Sequence, residues 1–301
     1  MKIPITFLGT SQAIPTAKRN HSAILLQYNG ENILIDCGEG TQRQFRKAKL
    51  NPCKLTRILI THWHGDHILG IPGLLQTLLL NGYNKKLHIY GPKGTKYYMN
   101  QIIKIFVPYN KIPLEIKEVS TGKVLETKDF IIEAQSMKHG IPANAYSFTE
   151  KEKIRFDKKK LGKLKLDNKD KKLLGKLQQG KNIKLNGKII TPKQVTYKQP
   201  GKKITIIMDT GINPGCHKIA KGCDLLISEA VYTNKEADLA KLHEHLTAEQ
   251  AGEIAKRAKA SQLYLAHLSQ RYDCSEHLIL NEAKKKFKNT KIAEDLMQIE
   301  L

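Results

Sequence analysis

No stretch of this chain approaches the ~20 consecutive apolar residues that a bilayer-crossing helix requires, so a membrane-spanning helix is excluded. A secretory leader is not expected either: Met1-Lys2-Ile3-Pro4-Ile5-Thr6-Phe7-Leu8 reads as an alternating strand pattern with no small-residue cleavage site. Cysteine is scarce and unpaired, with Cys37, Cys53, Cys216, Cys223 and Cys274 odd in number, scattered and free of any Cys-x-x-Cys spacing. This argues against a disulfide framework and against a cysteine-based zinc site. The thiols read as small buried hydrophobes in a reducing compartment, and a cytoplasmic protein without membrane association is expected. Acid is the other shortage. Against 51 Lys and Arg stand only 28 Asp and Glu, a net charge of +23 with pI near 9.7.

Such a field attracts polyanions, nucleic acid first among them. A lysine-rich surface of the thermophile kind would give the same total, so the distribution decides. Residues 151–200 hold seventeen Lys or Arg and four Asp or Glu, which places +13 of the net charge in one block. Concentration of this kind favours a binding role. The chain length of 301 residues and 40% hydrophobic content leave room for a substantial core elsewhere.

What the chain does have is a dense set of coordinating side chains. Ile58-Leu59-Ile60 reads as a short buried strand, and His62, His64, Asp66 and His67 follow within six positions. His62 and His64 are two apart, so persisting strand geometry would send both rings to one face. Asp66 and His67 follow Gly65, which permits a sharp reversal toward a second position. Imidazole and carboxylate donors suit zinc, with manganese and iron as alternatives, better than calcium or magnesium. Two ions ~3.5–4 Å apart would clamp the attacking and leaving oxygens of a displacement at phosphorus. Isolated surface histidines would explain one such residue, not four.

His62-Trp63-His64-Gly65-Asp66-His67 resembles the signature of the metallo-β-lactamase fold, which implies an α/β protein, a four-layered αββα sandwich with two metals at its edge. Lactamases, thioesterases, lactonases, phosphodiesterases and nucleases share that signature, so the substrate class must come from elsewhere. Residues 3–8 predict a first strand, and Ala23 to Tyr28, Asn29-Gly30 and Glu31 to Ile35 a hairpin. Gly9-Thr10-Ser11, the loop Pro15 to Asn20, and Asp36 to Gln42 together resemble one branch of the superfamily, the tRNA 3′-processing endonucleases of the tRNase Z family. That resemblance marks Lys18, Arg19 and Asn20 as substrate-binding, although the lysine stands one position later than the family pattern.

Further along, Leu69 to Leu80 predicts an apolar helix with Pro72 in its first turn, and His88 sits on a strand face rather than at a site. A helix over roughly 94–106 and strands at 114–119, 123–126 and 130–136 follow. His139 ends a strand and resembles the family's third histidine of the first metal position. In residues 151–198 lysines dominate, and Gly162, Gly175, Gly180 and Gly187 interrupt any long element. Apolar residues there look too sparse for a compact core, which predicts a disordered insertion or a projecting arm. The short form of tRNase Z carries a flexible tRNA-holding arm at this position, and Lys172 to Gly180 resembles part of it without the preceding Gly-Pro pair, implicating Lys172 and Lys176 in substrate binding. Lysines near phosphates release counterions and bind without reading sequence.

The strand Ile204 to Met208 delivers Asp209, whose two carboxylate oxygens suit a bridge between metals. Another strand ends in Glu229. Thr247 and Gln250 form a capping box for a helix with Ala251, Ile254, Ala255 and Ala258 on one stripe. His245 just before it resembles the family's proton donor to the leaving oxygen, His243 reads as surface, and His267 with Leu268 to Tyr272 resembles the closing motif, with Arg271 as a further substrate contact.

The resemblance as a whole implies two zinc ions per subunit, with Mn2+ or Fe2+ as substitutes. His62, His64, His139 and Asp209 would hold one; Asp66, His67, His267 and the shared Asp209 the other. The expected domain spans 1–150 and 199–301, with 151–198 as the inserted arm. The implied activity is cleavage of precursor tRNA 3′ of the discriminator nucleotide, leaving a tRNA 3′-OH and a trailer 5′-phosphate. Asp66 would orient the attacking water or take its proton, and His245, steadied by Glu229, would protonate the leaving oxygen. A homodimer is implied as well, the arm of one subunit gripping the tRNA that the other cuts. The alternatives are a general phosphodiesterase of the same fold and a non-catalytic RNA-binding protein.

Overall fold

The structure, a computed structural model, describes residues 2–109, 111–164, 171–185 and 187–301, with only the backbone of Lys171 and Lys172. The chain forms two compact units, one of residues 1–126, 131–148 and 203–301 and one of residues 127–130 and 149–202.

Two seven-stranded mixed sheets build the larger unit. The first runs Gln298–Glu300, Pro4–Gly9, Ala23–Tyr28, Glu31–Ile35, Arg57–Leu59, Leu87–Gly91, Leu114–Glu118, antiparallel at its beginning and parallel from Glu31–Ile35 onward. The hairpin between its third and fourth strands turns on Asn29 (φ 48°) and Gly30 (φ 84°), the two positive φ values that a type I′ turn demands. The second sheet runs Thr290–Ile292, Gln262–Ala266, Leu225–Glu229, Lys203–Ile207, Ala143–Glu150, Phe130–Met137, Gly122–Glu126, with its first four strands parallel.

Side chains alternate between two apolar faces along these strands, as a strand buried on both sides requires. Ala23 and Leu25 join Leu34, Ile58 and Ile89 beneath the helices Thr41–Lys47, Ile71–Leu80 and Thr95–Phe106, which bury Phe45, Leu74, Leu75, Leu78 and Met99. Each such leucine contributes about 1.5–3 kcal/mol by leaving water. The opposite faces of the two sheets meet each other: Phe7 lies 5.6 Å from Tyr264 and Tyr28 5.2 Å from Phe148 between ring centroids, and Tyr146 Oη donates to the Ile60 carbonyl at 2.8 Å. Pro214–Ala220, Ala248–Ala258 and Glu276–Lys286 cover the far side of the second sheet through Cys216, Ile219, Ala251, Ile254, Ala255 and Ile279. The layer order is therefore helix, sheet, sheet, helix. Two of these helices approach closely because Gly252 has no side chain; a Cβ there would stand 2.6 Å from the Ala283 carbonyl oxygen.

The apolar helix expected from Leu69 starts instead at Ile71, after a separate turn over Gly65–Ile68. The break lies at Gly70, whose N–H donates to the Cys37 carbonyl at 2.9 Å and where a Cβ would meet the Gly38 oxygen at 2.0 Å. Among the described residues no helix is long and apolar enough to cross a membrane, and all five cysteines are free.

The smaller unit departs from expectation. It has a core, small but real, in which Leu177, Ile183 and Val195 are buried and Phe156, Leu161, Leu164, Leu173, Leu174 and Ile190 pack against them. Lys153–Phe156 pairs with Thr196–Gln199, and Ile183–Leu185 with Lys188–Ile190. Leu173, Leu174 and Leu177 lie at helical spacing on Lys171–Gln178, so the helix presents an apolar stripe although it carries as many lysines as leucines.

Candidate metal centre

The parallel strands of both sheets end on one edge, and the coordinating residues follow those ends. Asp36 comes after Glu31–Ile35, His62 after Arg57–Leu59, Asp209 after Lys203–Ile207, Glu229 closes Leu225–Glu229, and His267 comes after Gln262–Ala266. Carboxyl ends of parallel strands are where α/β folds bind ligands, since the backbone there diverges into loops free to carry chemistry. His64, Asp66 and His67 arrive on the loop and turn beyond His62, and His139 on the segment after Phe130–Met137.

Three groups of donor atoms that could hold a metal ion result: two are four-residue sets of His and Asp, and the third joins Asp209 to Glu229 and His245. In the first, His64 Nδ1 lies 3.1 Å from both His62 Nε2 and His139 Nε2, and Asp209 Oδ2 stands 3.6 Å from His62 Nε2 and 3.9 Å from His139 Nε2. In the second, His67 Nε2 lies 3.2 Å from Asp66 Oδ2 and 3.3 Å from Asp209 Oδ1, while His267 Nε2 lies 2.9 Å from Asp209 Oδ1 and 3.8 Å from Asp66 Oδ2. Donors of a four-coordinate zinc with bonds of ~2.0–2.1 Å stand about 3.3 Å apart. Asp209 divides its oxygens between these two groups, Oδ2 toward the first and Oδ1 toward the second.

Two further observations test the fit to cations. His67 Nε2, His267 Nε2 and Asp209 Oδ1 are buried yet have no aligned hydrogen-bond partner, despite their proximity to one another. Buried polar atoms left in this way are costly unless something else satisfies them. The electrostatics agree. Burial alone would depress His67, but the carboxylates of Asp209, Asp36 and Asp66 outweigh it and hold its pKa well above the usual imidazole value. His62, deeper among imidazoles, is pushed well below that value by burial first and by His67 next. Three carboxylates around one imidazole thus make a potential that favours a positive charge at this position.

The nitrogens that face away from these groups are tied down. His67 Nδ1 pairs with Asp36 Oδ2 at 2.7 Å, and Thr61 Oγ1 donates to the same oxygen at 2.8 Å while pairing with His62 Nδ1 at 3.0 Å. His267 Nδ1 pairs with Ser22 Oγ at 2.8 Å. Such contacts choose the tautomer and aim Nε2 at the cation position. Asp36 (φ 58°) and His267 (φ 56°) both occupy the left-handed region, a strain that clusters at functional sites. The sequence reading gives Asp36 and Ser22 no role in the site, although Asp36 is an acid directly after a buried strand and opens the Asp36 to Gln42 segment of the family resemblance.

A cavity of ≈ 600 Å³ opens beside the two groups, lined by His64, Asp66, His139, Asp209 and His245, with Gln12, Ala13, His21, Leu69, Tyr232 and His243 around them. His243, read as surface from the sequence, is exposed and belongs to this lining. His245 Nδ1 pairs with Glu229 Oε2 at 3.1 Å, and Glu229 Oε1 accepts from the Thr210 N–H at 2.6 Å. Burial lowers the His245 pKa, but Glu229 and then Asp209 and Asp66 more than offset it, raising the value to about 9.

With this geometry in hand, comparison with known proteins is decisive. The ribonuclease Z of Methanothermobacter thermautotrophicus is 40% identical over 298 residues, covering 99% of this chain and 96% of that protein. The chain belongs to the ribonuclease Z family. The crystal structure of the short form of human tRNase Z, at 28% identity, covers 98% of each chain with a TM-score of 0.71. The metallo-beta-lactamase fold protein YhfI from Bacillus subtilis, at 19% identity and TM-score 0.73, covers 100% of this chain and 99% of its own and establishes the fold. A family model described as anti-Pycsar protein Apyc1 matches residues 3–156.

For a ribonuclease Z family member, the positions assigned to substrate divide unevenly. Lys18 is exposed, but Arg19 is 5% exposed and its guanidinium is engaged with Glu276, Thr10 and the Ala293 carbonyl. The Asn20 amide donates to the Glu39 carbonyl at 2.6 Å. Arg19 therefore holds the loop from within, while Asn20 is half-buried at its edge. Arg271 is exposed, with its guanidinium carbon 5.3 Å over the Tyr232 ring that lines the cavity. Lys176 is exposed on the helix of the smaller unit, whereas the side chain of Lys172 lies outside the described residues.

Proposed function

We propose that this protein is a metal-dependent endoribonuclease that matures precursor tRNA, cutting 3′ of the discriminator nucleotide and releasing the 3′ trailer. The carrying observation is the convergence of His62, His64, Asp66, His67, His139, Asp209 and His267 into two donor groups that share one carboxylate; family membership supplies the substrate class. Two zinc ions per chain fit the donor set, and when bound they would lower the pKa of water and neutralise charge on the scissile phosphate.

The chain's own residues supply the rest. Asp66, buried and close to His67 and His267, orients the attacking water or accepts its proton. Glu229 more than offsets burial at His245 and raises its pKa to about 9, which favours the proton-carrying form. With Nδ1 held by Glu229, Nε2 is the nitrogen that gives a proton to the departing 3′ oxygen. No ribose hydroxyl serves as nucleophile, so the tRNA leaves with a 3′-OH and the trailer with a 5′-phosphate.

The lysine-rich unit supports a role in holding the tRNA body, since phosphate contacts give affinity without sequence reading, as an enzyme acting on many tRNAs needs. A homodimer belongs to the same reading, with the exposed Leu80, Ile105 and Phe106 on the helices Ile71–Leu80 and Thr95–Phe106 as candidate contact residues. A cytoplasmic setting accords with the free cysteines. The test is incubation of the purified protein with a 3′-extended tRNA and end-group analysis of both fragments. A 3′-OH on the tRNA and a 5′-phosphate on the trailer are expected; 2′,3′-cyclic phosphate ends, or an intact precursor, would contradict the reading.

A further inference from the structure

One wall of the cavity is a loop, and it is held from behind by a side chain far away in the sequence. Gln12 and Ala13 line the cavity, and the loop that carries them is pinned to the segment next to His267, Gln12 N donating to the Leu268 carbonyl at 3.1 Å and Leu268 N to the Thr10 carbonyl at 3.0 Å. The two ends of the loop meet at Asp295. Its Oδ1 accepts from Thr10 Oγ1 at 2.7 Å, and its Oδ2 from the Asn20 N–H at 2.7 Å and from Gln44 Nε2 at 2.8 Å. Arg19 completes the frame: its Nε donates to Glu276 Oε1 at 2.8 Å and its Nη1 to the Ala293 carbonyl at 2.7 Å and to Thr10 Oγ1.

We infer that Asp295 is a positioning residue for the RNA substrate, fixing the Thr10–Asn20 loop as a preformed wall of the cavity. Charged hydrogen bonds of this kind are strong and directional, and three of them on one carboxylate leave the loop little freedom to rearrange when RNA arrives. The charge on the loop's other flank agrees. A second cavity of ≈ 490 Å³ there is lined by Asp273, Glu276, Glu294 and Asp295 against Lys18 and Arg19, a net acidic lining that disfavours phosphate on that side. Preorganisation lowers the ordering cost of binding, and it matters for a macromolecular substrate that must thread past the wall, not for a small diester that reaches the metals directly.

The inference rests on the tRNA-processing reading, and its test separates the two. The full-length protein and its Asp295→Ala and Asp295→Asn variants are assayed on 3′-extended tRNA and on bis(p-nitrophenyl) phosphate, with metal content measured for each. The KM for precursor tRNA should rise about ten-fold in Asp295→Ala and by less in Asp295→Asn, while kcat on the small diester stays within about two-fold and metal content is unchanged. An unchanged KM overturns the inference, and so does a parallel loss on both substrates, the signature of general damage to the fold. Should Asp295→Ala not fold, Asp295→Asn carries the same comparison, since its amide oxygen retains an acceptor for the loop. Failure of the unmutated protein to process precursor tRNA would instead overturn the functional reading beneath it.

Discussion

Asp36 steadies both halves of the metal centre at once, through His67 directly and through Thr61 to His62. Asp36→Asn is therefore expected to lower metal affinity or activity by ~10–100-fold, read by chelator competition, even though no cation would touch it. A second residue-scale prediction concerns His245. His245→Ala should slow precursor cleavage by ~10²–10⁴-fold while sparing bis(p-nitrophenyl) phosphate, whose acidic phenol departs unprotonated. Equal losses on both substrates would remove His245 from the role of proton donor. His62, His139, Asp209 and His267 were legible because each is a polar side chain just beyond a strand, and His64, Asp66 and His67 because they crowd the short loop and turn after His62. Asp36 and Ser22 were not, because their significance lies in which nitrogen they restrain, a contact between segments far apart in the chain. Arg19 shows the reverse: the loop motif was legible, but burial against Glu276 and Ala293 turns an apparent ligand into a structural residue.

Among the elements, helix Ala248–Ala258 begins with the capping box expected from Thr247 and Gln250, both halves of which are formed. Thr247→Ala should cost about 0.5–2 kcal/mol, measured by denaturant or thermal unfolding. The cap stands two residues beyond His245, so this variant should also impair activity more than an exposed substitution on the same helix. The smaller unit poses the opposite lesson. Its lysines and glycines were legible, its core was not, because the apolar residues are thinly spread from Phe156 to Val195 and meet only once the two strand pairs and the helix have formed. Deletion of residues 155–195 should greatly weaken precursor-tRNA binding and leave hydrolysis of the small diester nearly intact. Loss of both together would mean that the unit supports the fold of the catalytic portion rather than the RNA.

At the scale of the whole molecule, two mixed sheets hold side chains from Ser22 to His267 on one edge, while the excess of positive charge gathers in the inserted unit. Binding of precursor tRNA should accordingly fall steeply with salt, and replacing a phosphate-binding lysine by alanine should make the slope shallower by roughly one unit. The division between capture and chemistry depends on one geometric fact, that a single aspartate lies between two donor groups. Metal stoichiometry of the purified chain, with and without Asp209→Ala, addresses that fact most directly. The unmutated chain should carry two cations and the variant should lose affinity at both positions together. One cation per unmutated chain, or a variant that keeps one position at full affinity, would contradict the shared carboxylate and with it the account of the site.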